Sequence, residues 1–154
     1  MKYEPGLPHE NKLWKLLHSC RFYKGGQEVL RKFKRSTCVW NDTPSNANFF
    51  EIRLPSDMPR ADVIKLIKDG ERGPGTLIDL LKECAADPNF GLHFPIMAVG
   101  TTVVTPGGKR NAPVVKPIVI CEGDKKRIVR VIRFERVSRI GRENHILCFD
   151  YNKQ

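Results

Sequence analysis

Arginine recurs at every third position towards the end of the chain. The run consists of Arg127, Arg130, Arg133, Arg136, Arg139 and Arg142, with Lys125 and Lys126 before it and Lys109 and Arg110 in an earlier turn. Guanidinium groups are planar forks that bind phosphate oxygens in pairs, and ammonium groups bind phosphates as point charges. These ten residues are therefore our candidate nucleic-acid-binding residues, and the chemistry that they predict is contact with the phosphates of a polyanion.

The conformation of this segment decides where the arginines point. On a strand, a spacing of three alternates between faces, whereas on a helix it produces one broad basic stripe. Five of the residues between 128 and 137 are Val or Ile, which favours a strand. A strand whose arginines pair with Glu51, Glu135 or Glu143 would need no ligand. Charged residues on an edge strand also suppress strand-to-strand aggregation.

Charge is segregated along the chain. The 27 Lys and Arg against 17 Asp and Glu give a net charge of +10, divided as +6 over residues 1–40, −3 over 41–88 and +7 over 89–154. Two basic ends around an acidic middle can create a field of one sign that attracts polyanions. A well-solvated surface with no partner is the alternative explanation.

Composition indicates an ordinary globular protein. The chain has 154 residues, of which 40% are hydrophobic, and such a length can bury one core without disulfides or metals. No apolar stretch approaches the roughly 20 residues that a bilayer requires, and the first residues do not form a signal peptide. Five cysteines without a C-x-x-C pair favour a reducing compartment. We expect a single basic domain over 1–154 that is soluble, cytoplasmic and not membrane-bound.

Helical signals occupy the N-terminal and central parts of the chain. Apolar residues recur at helical spacing over 8–22 and 27–35. A third helix is expected to begin near Pro59 and to end before Gly70, and a fourth covers 77–86 behind a Thr76 cap.

Strand signals dominate the second half. The expected strands are 48–54, 97–104, 114–121, 128–137 and 145–151, with a Pro-Gly turn over 105–111 that makes a hairpin. We therefore predict an α+β fold, in which N-terminal and central helices pack on a mostly antiparallel sheet formed largely by the C-terminal half as a meander.

Two motifs that could hold a ligand do not meet the chemical requirements. The glycine-rich segment 70–76 precedes a helix but lacks the Gly-Lys-Ser/Thr of a phosphate-binding loop, and Pro74 removes an N–H donor. The histidines and cysteines, among them His18, Cys20, Cys38, His145 and Cys148, match no zinc spacing. We expect no metal and no cofactor.

Three functions remain open from the residues alone. The leading hypothesis is a nucleic-acid-binding module that contacts backbone phosphates through the arginine-rich segment, with Trp40, Phe49 or Tyr151 available for base stacking if exposed. The second is an interaction or inhibitor module that docks an acidic protein. The third is a phosphodiester-acting enzyme such as a nuclease, in which His93 or His145 is the general acid or base; none of the three fixes an oligomeric state.

Overall fold

The helices cluster in the first 86 residues. A computed structural model of the chain describes residues 2–3, 10–29, 31, 37–40, 43 and 47–151. Its helices are α1 (Glu10–Cys20), α2 (Arg60–Asp69) and α3 (Leu77–Ala86), with a 3-10 turn over Tyr23–Gly26 and helical backbone at 27–29 and 31. Residues 8–9, 30 and 32–35 of the two predicted N-terminal helices lie outside the described residues. None of the described helices has the length and apolar character needed to cross a bilayer.

The strands join in one branched sheet. In the described part of the chain they are β1 (Lys2–Tyr3), β2 (Thr37–Trp40), β3 (Phe49–Arg53), β4 (Arg72–Pro74), β5 (Ile96–Met97), β6 (Thr101–Val104), β7 (Arg110–Glu122), β8 (Lys125–Arg136) and β9 (His145–Asp150). Their order is β1-β2-β6-β7-β5-β9-β3, with β8 along the other edge of β7 and β4 beside β9. Every pair is antiparallel except β5 with β9. The predicted α+β fold, with a sheet drawn largely from the C-terminal half, is confirmed.

Helices cover both faces of this sheet. On β9, Ile146 packs into a core shared with α2, whereas its neighbour Leu147 packs into a core shared with α1 and α3. The alternation follows from the strand itself, because consecutive side chains point to opposite faces. The sheet therefore separates the α2 side of the molecule from the α1 and α3 side.

The segment 97–104 is two strands rather than the single strand that its β-branched content predicts. The chain leaves the sheet at 98–100, where the Gly100 N–H donates to the Gly75 carbonyl at 2.8 Å. A side chain at Gly100 would overlap the same backbone. β5 can consequently pair with β9, while β6 pairs with β2.

The last strand is not the end of a meander. β9 lies between β3 on one side and β5 with β4 on the other, and it does not touch β8 in the sheet. β4 lies within the glycine-rich segment 70–76, between α2 and α3. A Cβ at Gly73 would overlap the Phe149 ring, so this glycine permits close packing of β4 on β9.

Three of the described cysteines are buried and free. They are Cys20, Cys84 and Cys148, whereas Cys121 is exposed on β7. Burial raises the pKa of the Cys148 thiol to about 12. These buried thiols pack as small apolar groups.

Arg130 is the arginine of the run that points into the protein. Its side chain is buried, and the guanidinium lies 5.5 Å from the Phe22 ring. It donates four hydrogen bonds of 2.7 to 3.0 Å to the backbone carbonyls of Cys20, Cys84, Asp87 and Phe90. The first three of these carbonyls lie at the C-terminal ends of α1 and α3, where the helix dipole is negative.

Carboxylates gather on the α3 side of the sheet. Burial raises the pKa of the partly buried Glu83, and the neighbouring Asp79, Asp87 and Glu51 raise it further. Asp79 is held in a capping box, in which its carboxylate accepts from the Thr76 N–H and its own N–H donates to the Thr76 hydroxyl.

Replacing Arg130 with methionine should destabilise the protein strongly. The substitution keeps an extended apolar stem but leaves four carbonyls without their donor, at a cost of about 3 kcal/mol or more. Urea unfolding measures the loss. Arg133→Met is the matched control on the same strand, because Arg133 is exposed, and it should change the free energy of unfolding by no more than about 0.5 kcal/mol. Equal losses in the two variants would contradict the bonding role of Arg130.

Glu83→Gln should stabilise the protein at neutral pH. A carboxyl whose pKa is raised on folding leaves stability untouched below its unfolded pKa and lowers it as pH rises through the folded pKa. The variant should therefore gain about 0.5 kcal/mol at pH 7 and nothing at pH 4. Thermal melts across this range test it, with Asp124→Asn at an exposed turn as the control. A gain that is the same at both pH values would show that charge is not the cause.

Candidate anion-binding site

Four cations surround a cavity at the beginning of α2. Its volume is about 410 Å³, within the range of roughly 300 to 1,000 Å³ that small ligands occupy. The cations are Arg60, Lys109, Arg110 and Arg136, and the remaining lining residues are Pro59, Ala61, Gly108, Val137 and Ser138. No carboxylate, imidazole or thiol belongs to this described lining, so its side-chain charge is entirely positive.

Backbone hydrogen bonds fasten one wall of the cavity to the sheet. Met58 and Ile140 exchange bonds of 3.1 and 2.7 Å, and the Arg60 N–H donates to the Val137 carbonyl at 2.9 Å. Pro59 is the N-cap residue of α2 and makes no side-chain capping hydrogen bond. The beginning of α2 is thereby fixed against the end of β8.

A tight hairpin turn forms the opposite wall. The Thr105 N–H donates to the Lys109 carbonyl at 2.9 Å, and Gly108 closes the turn with a φ of +80°. The Val137 N–H donates to the Arg110 carbonyl at 3.2 Å, so β7 and the residues after β8 are also joined. The cations on the two walls are held near one another before any ligand arrives.

The Arg60 guanidinium is destabilised at this cavity by burial and by a neighbouring like charge. It is partly buried, and its Nη2 donates to the Val99 carbonyl at 3.1 Å. Its Nε is buried and has no hydrogen-bond partner among the described residues. Burial lowers the pKa of the Arg60 guanidinium, and the like charge of Arg110 lowers it further. Because arginine stays protonated near neutral pH, Arg60 places a partly buried positive charge at the cavity.

The helix end adds a further donor. The N–H groups of Asp62 and Val63 both reach the Pro59 carbonyl, at 3.0 and 3.2 Å, and that of Arg60 is bonded to Val137. Within the described residues the Ala61 N–H has no acceptor, and Ala61 lines the cavity. The first turn of a helix is its positive end, so this N–H and the helix dipole both favour an anion.

The ten predicted binding residues lie in several separate places. Lys109, Arg110 and Arg136 line the cavity. Arg133 is exposed beside Lys24 and Arg31 at a smaller cavity of about 300 Å³, whose lining also includes a glutamate. Arg130 faces the interior, as described above, and its four hydrogen bonds remove it from any surface that contacts phosphates.

The remaining predicted cations have carboxylates close by. Lys125, Lys126 and Arg127 lie in the exposed end of the β7–β8 hairpin, where Glu122 accepts two bonds from Arg127 at 3.1 and 2.9 Å. That end is a two-stranded ribbon that also exposes the apolar pair Val119 and Ile128.

Asp57 interacts with the last two arginines of the run, Arg139 and Arg142. It lies 3.7 Å from the Arg139 guanidinium and accepts the Arg142 backbone N–H at 2.8 Å. The positive potential around both arginines is therefore reduced by a neighbouring negative charge. Neither residue lines the cavity at α2.

A larger cavity of about 780 Å³ lies beside the C-terminal ends of α1 and α3. Four cations line it, but Arg130 is committed to backbone carbonyls and Arg127 to Glu122. Only Arg21 and Lys24 remain to meet an anion. The cavity at α2 therefore has the higher density of unpaired positive charge.

The other residues singled out in the sequence lie elsewhere. His145 Nδ1 is 3.1 Å from the Glu51 carboxylate, and the ring stacks on Phe94 at 3.8 Å. Phe49 and Tyr151 pack edge-on against Phe149, although Tyr151 is half exposed. The exposed His93 does not line the cavity, the Trp40 side chain is not among the described groups, and the described residues hold no cluster of metal ligands.

Replacing Arg110 with glutamine should raise stability at low salt. The substitution removes a like charge beside Arg60, which is expected to add about 0.5 kcal/mol to the free energy of unfolding and to lose its effect as salt screens the charges. Urea unfolding at low and high salt measures this difference. Arg127→Gln is the control. This substitution removes a guanidinium that is bonded to Glu122, so it should not raise the free energy of unfolding. A loss of stability in Arg110→Gln would contradict repulsion within the cavity.

Comparison with protein-family models, with curated proteins and with solved structures finds no match for this chain.

Proposed function

We propose that this protein binds nucleic acid through the backbone phosphates, with the cavity at α2 as the principal contact. The observation that carries the proposal is the convergence of Arg60, Lys109, Arg110 and Arg136 around a space that no carboxylate lines. Folding alone gains nothing from such an arrangement, because like charges repel and Arg60 loses solvent. Conflicts of this kind are expected at functional sites, where a ligand compensates them.

Residues around the cavity extend the phosphate-binding surface. β8 pairs with β7 alone among the described strands, and the Arg133 side chain on it is exposed. Arg133 lies three residues before Arg136, or about 10 Å along the strand. A nucleic-acid strand seated at the cavity would meet Arg133 as the next cation. Such contacts confer affinity with little dependence on base sequence.

The residues that line the cavity, and its concave shape, favour nucleic-acid binding over the two alternative functions. Among the described residues that line it there is no histidine, cysteine or carboxylate to act as general base for cleavage of a phosphodiester. An acidic protein would use the same cations, but a cavity fits a compact anion better than a flat acidic surface. A protein partner recovered through this cavity from nuclease-treated extract would favour the interaction module instead.

Binding to mixed-sequence single-stranded DNA, duplex DNA and RNA should be tight at low salt and weaken steeply as salt rises. The double variant Arg110→Gln with Arg136→Gln should flatten the slope of log affinity against log salt by up to about two units, because two phosphate contacts are lost. Fluorescence anisotropy with labelled oligonucleotides measures both quantities.

The matched control is Lys12→Gln with Lys82→Gln. It removes the same charge from exposed positions on α1 and α3, on the opposite face of the sheet, and should leave the slope nearly unchanged. Absence of binding at low salt, or equal weakening by the two double variants, would refute the proposal.

A further inference from the structure

We infer that the cavity at α2 receives the terminal phosphate of a nucleic-acid strand, a phosphomonoester, rather than an internal phosphodiester. The inference rests on the proposed function, because it names the part of a nucleic acid that occupies the same cavity. It follows from the charge of the cavity, from its shape and from the donors that face it.

The charge of the cavity suits a dianion. A phosphomonoester carries about −1.5 to −2 near pH 7, whereas an internal diester carries −1. One partly open cavity brings together cations from the start of α2, the β6–β7 turn, the start of β7 and the end of β8, namely Arg60, Lys109, Arg110 and Arg136. A surface that binds successive phosphates of a nucleic-acid strand would instead have its cations spaced along a groove.

The shape of the cavity suits a chain end. Pro59, Ala61 and Val137 form apolar parts of its wall, which can pack against a sugar but offer no bond to a phosphate. An internal phosphate carries nucleotides on both sides, and both would have to leave a space of about 410 Å³. A terminal nucleotide needs a single exit, so its phosphate can reach the innermost donors.

The donors also outnumber the free oxygens of a diester. The Ala61 N–H has no acceptor among the described residues, and Ala61 and Ser138 both line the cavity. Four cationic side chains line the same cavity. A terminal phosphate presents three strong acceptor oxygens instead of two, and a buried donor left without an acceptor weakens binding.

Oligonucleotides of one mixed sequence that differ only in their ends test the inference. Three single strands are compared by anisotropy at moderate salt: one with a 5′-phosphate, one with a 3′-phosphate and one with hydroxyl groups at both ends. We expect at least one phosphorylated strand to bind about tenfold more tightly than the hydroxyl strand, the value of one further charge-assisted hydrogen bond. The two phosphorylated arms identify which end is read.

The variants locate this preference in the cavity. Arg60→Gln and, independently, Arg136→Gln should reduce the tenfold ratio to about two or less, while Lys12→Gln with Lys82→Gln should preserve it. Arg60 also bonds to Val99, so its variant is first checked by thermal melting, and Arg136→Gln tests the ratio even if Arg60→Gln does not fold.

The outcomes separate the inference from the proposed function. Equal, salt-dependent affinity for all three strands would overturn the terminal-phosphate inference and leave phosphate-backbone binding intact. No binding of any strand at low salt would overturn both. AMP that competes as tightly as the phosphorylated strand itself would show that the cavity takes free nucleotides, and would overturn the assignment to strand ends.

Discussion

The buried guanidinium of Arg130 is the interaction on which the arrangement of this protein depends. It binds the ends of α1 and α3 to β8 through four backbone carbonyls. None of the described carboxylates forms an ion pair with it, so these carbonyl dipoles balance its charge within the described part of the chain. A buried cation is tolerated only when its donors are satisfied. This requirement sets the register of β8, because a slip by one residue would place a valine at the carbonyls and move each arginine on this strand to the other face. The positions of Arg133 and Arg136 on the surface follow from it.

Several elements were predictable because their signals are local. The Thr76 cap and the glycine after α2 mark helix ends, and β-branched runs mark β7, β8 and β9. The division of 97–104 was not predictable, since it depends on the approach of Gly100 to Gly75, which are 25 positions apart. The parallel pairing of β5 with β9 is likewise set by tertiary packing and by no motif in either strand.

The candidate site was predictable only in part, for a related reason. Lys109, Arg110 and Arg136 attract notice through composition, whereas Arg60 follows a proline at a helix start and has no basic neighbour in the sequence. Its place at the cavity follows from the fold, which brings the beginning of α2 and the β6–β7 turn to the same cavity. Conversely, Arg130 is indistinguishable in the sequence from the arginines on either side of it. Its burial follows from the two helix ends that converge on it, and no pattern within the run encodes them.

The position of β9 determines when the sheet can become complete. This strand is the sheet partner of β3 and β4, and it is also the link by which they join β5. The sheet hydrogen bonds of residues 49–53 and 72–74 therefore form only after residues 145–150 have been synthesised. Pairings so distant in sequence carry a high loop-closure entropy and form slowly. Until that late step the α2 side of the core lacks Ile146 and Cys148. The core that supports α2 is therefore among the last parts of the molecule to fold.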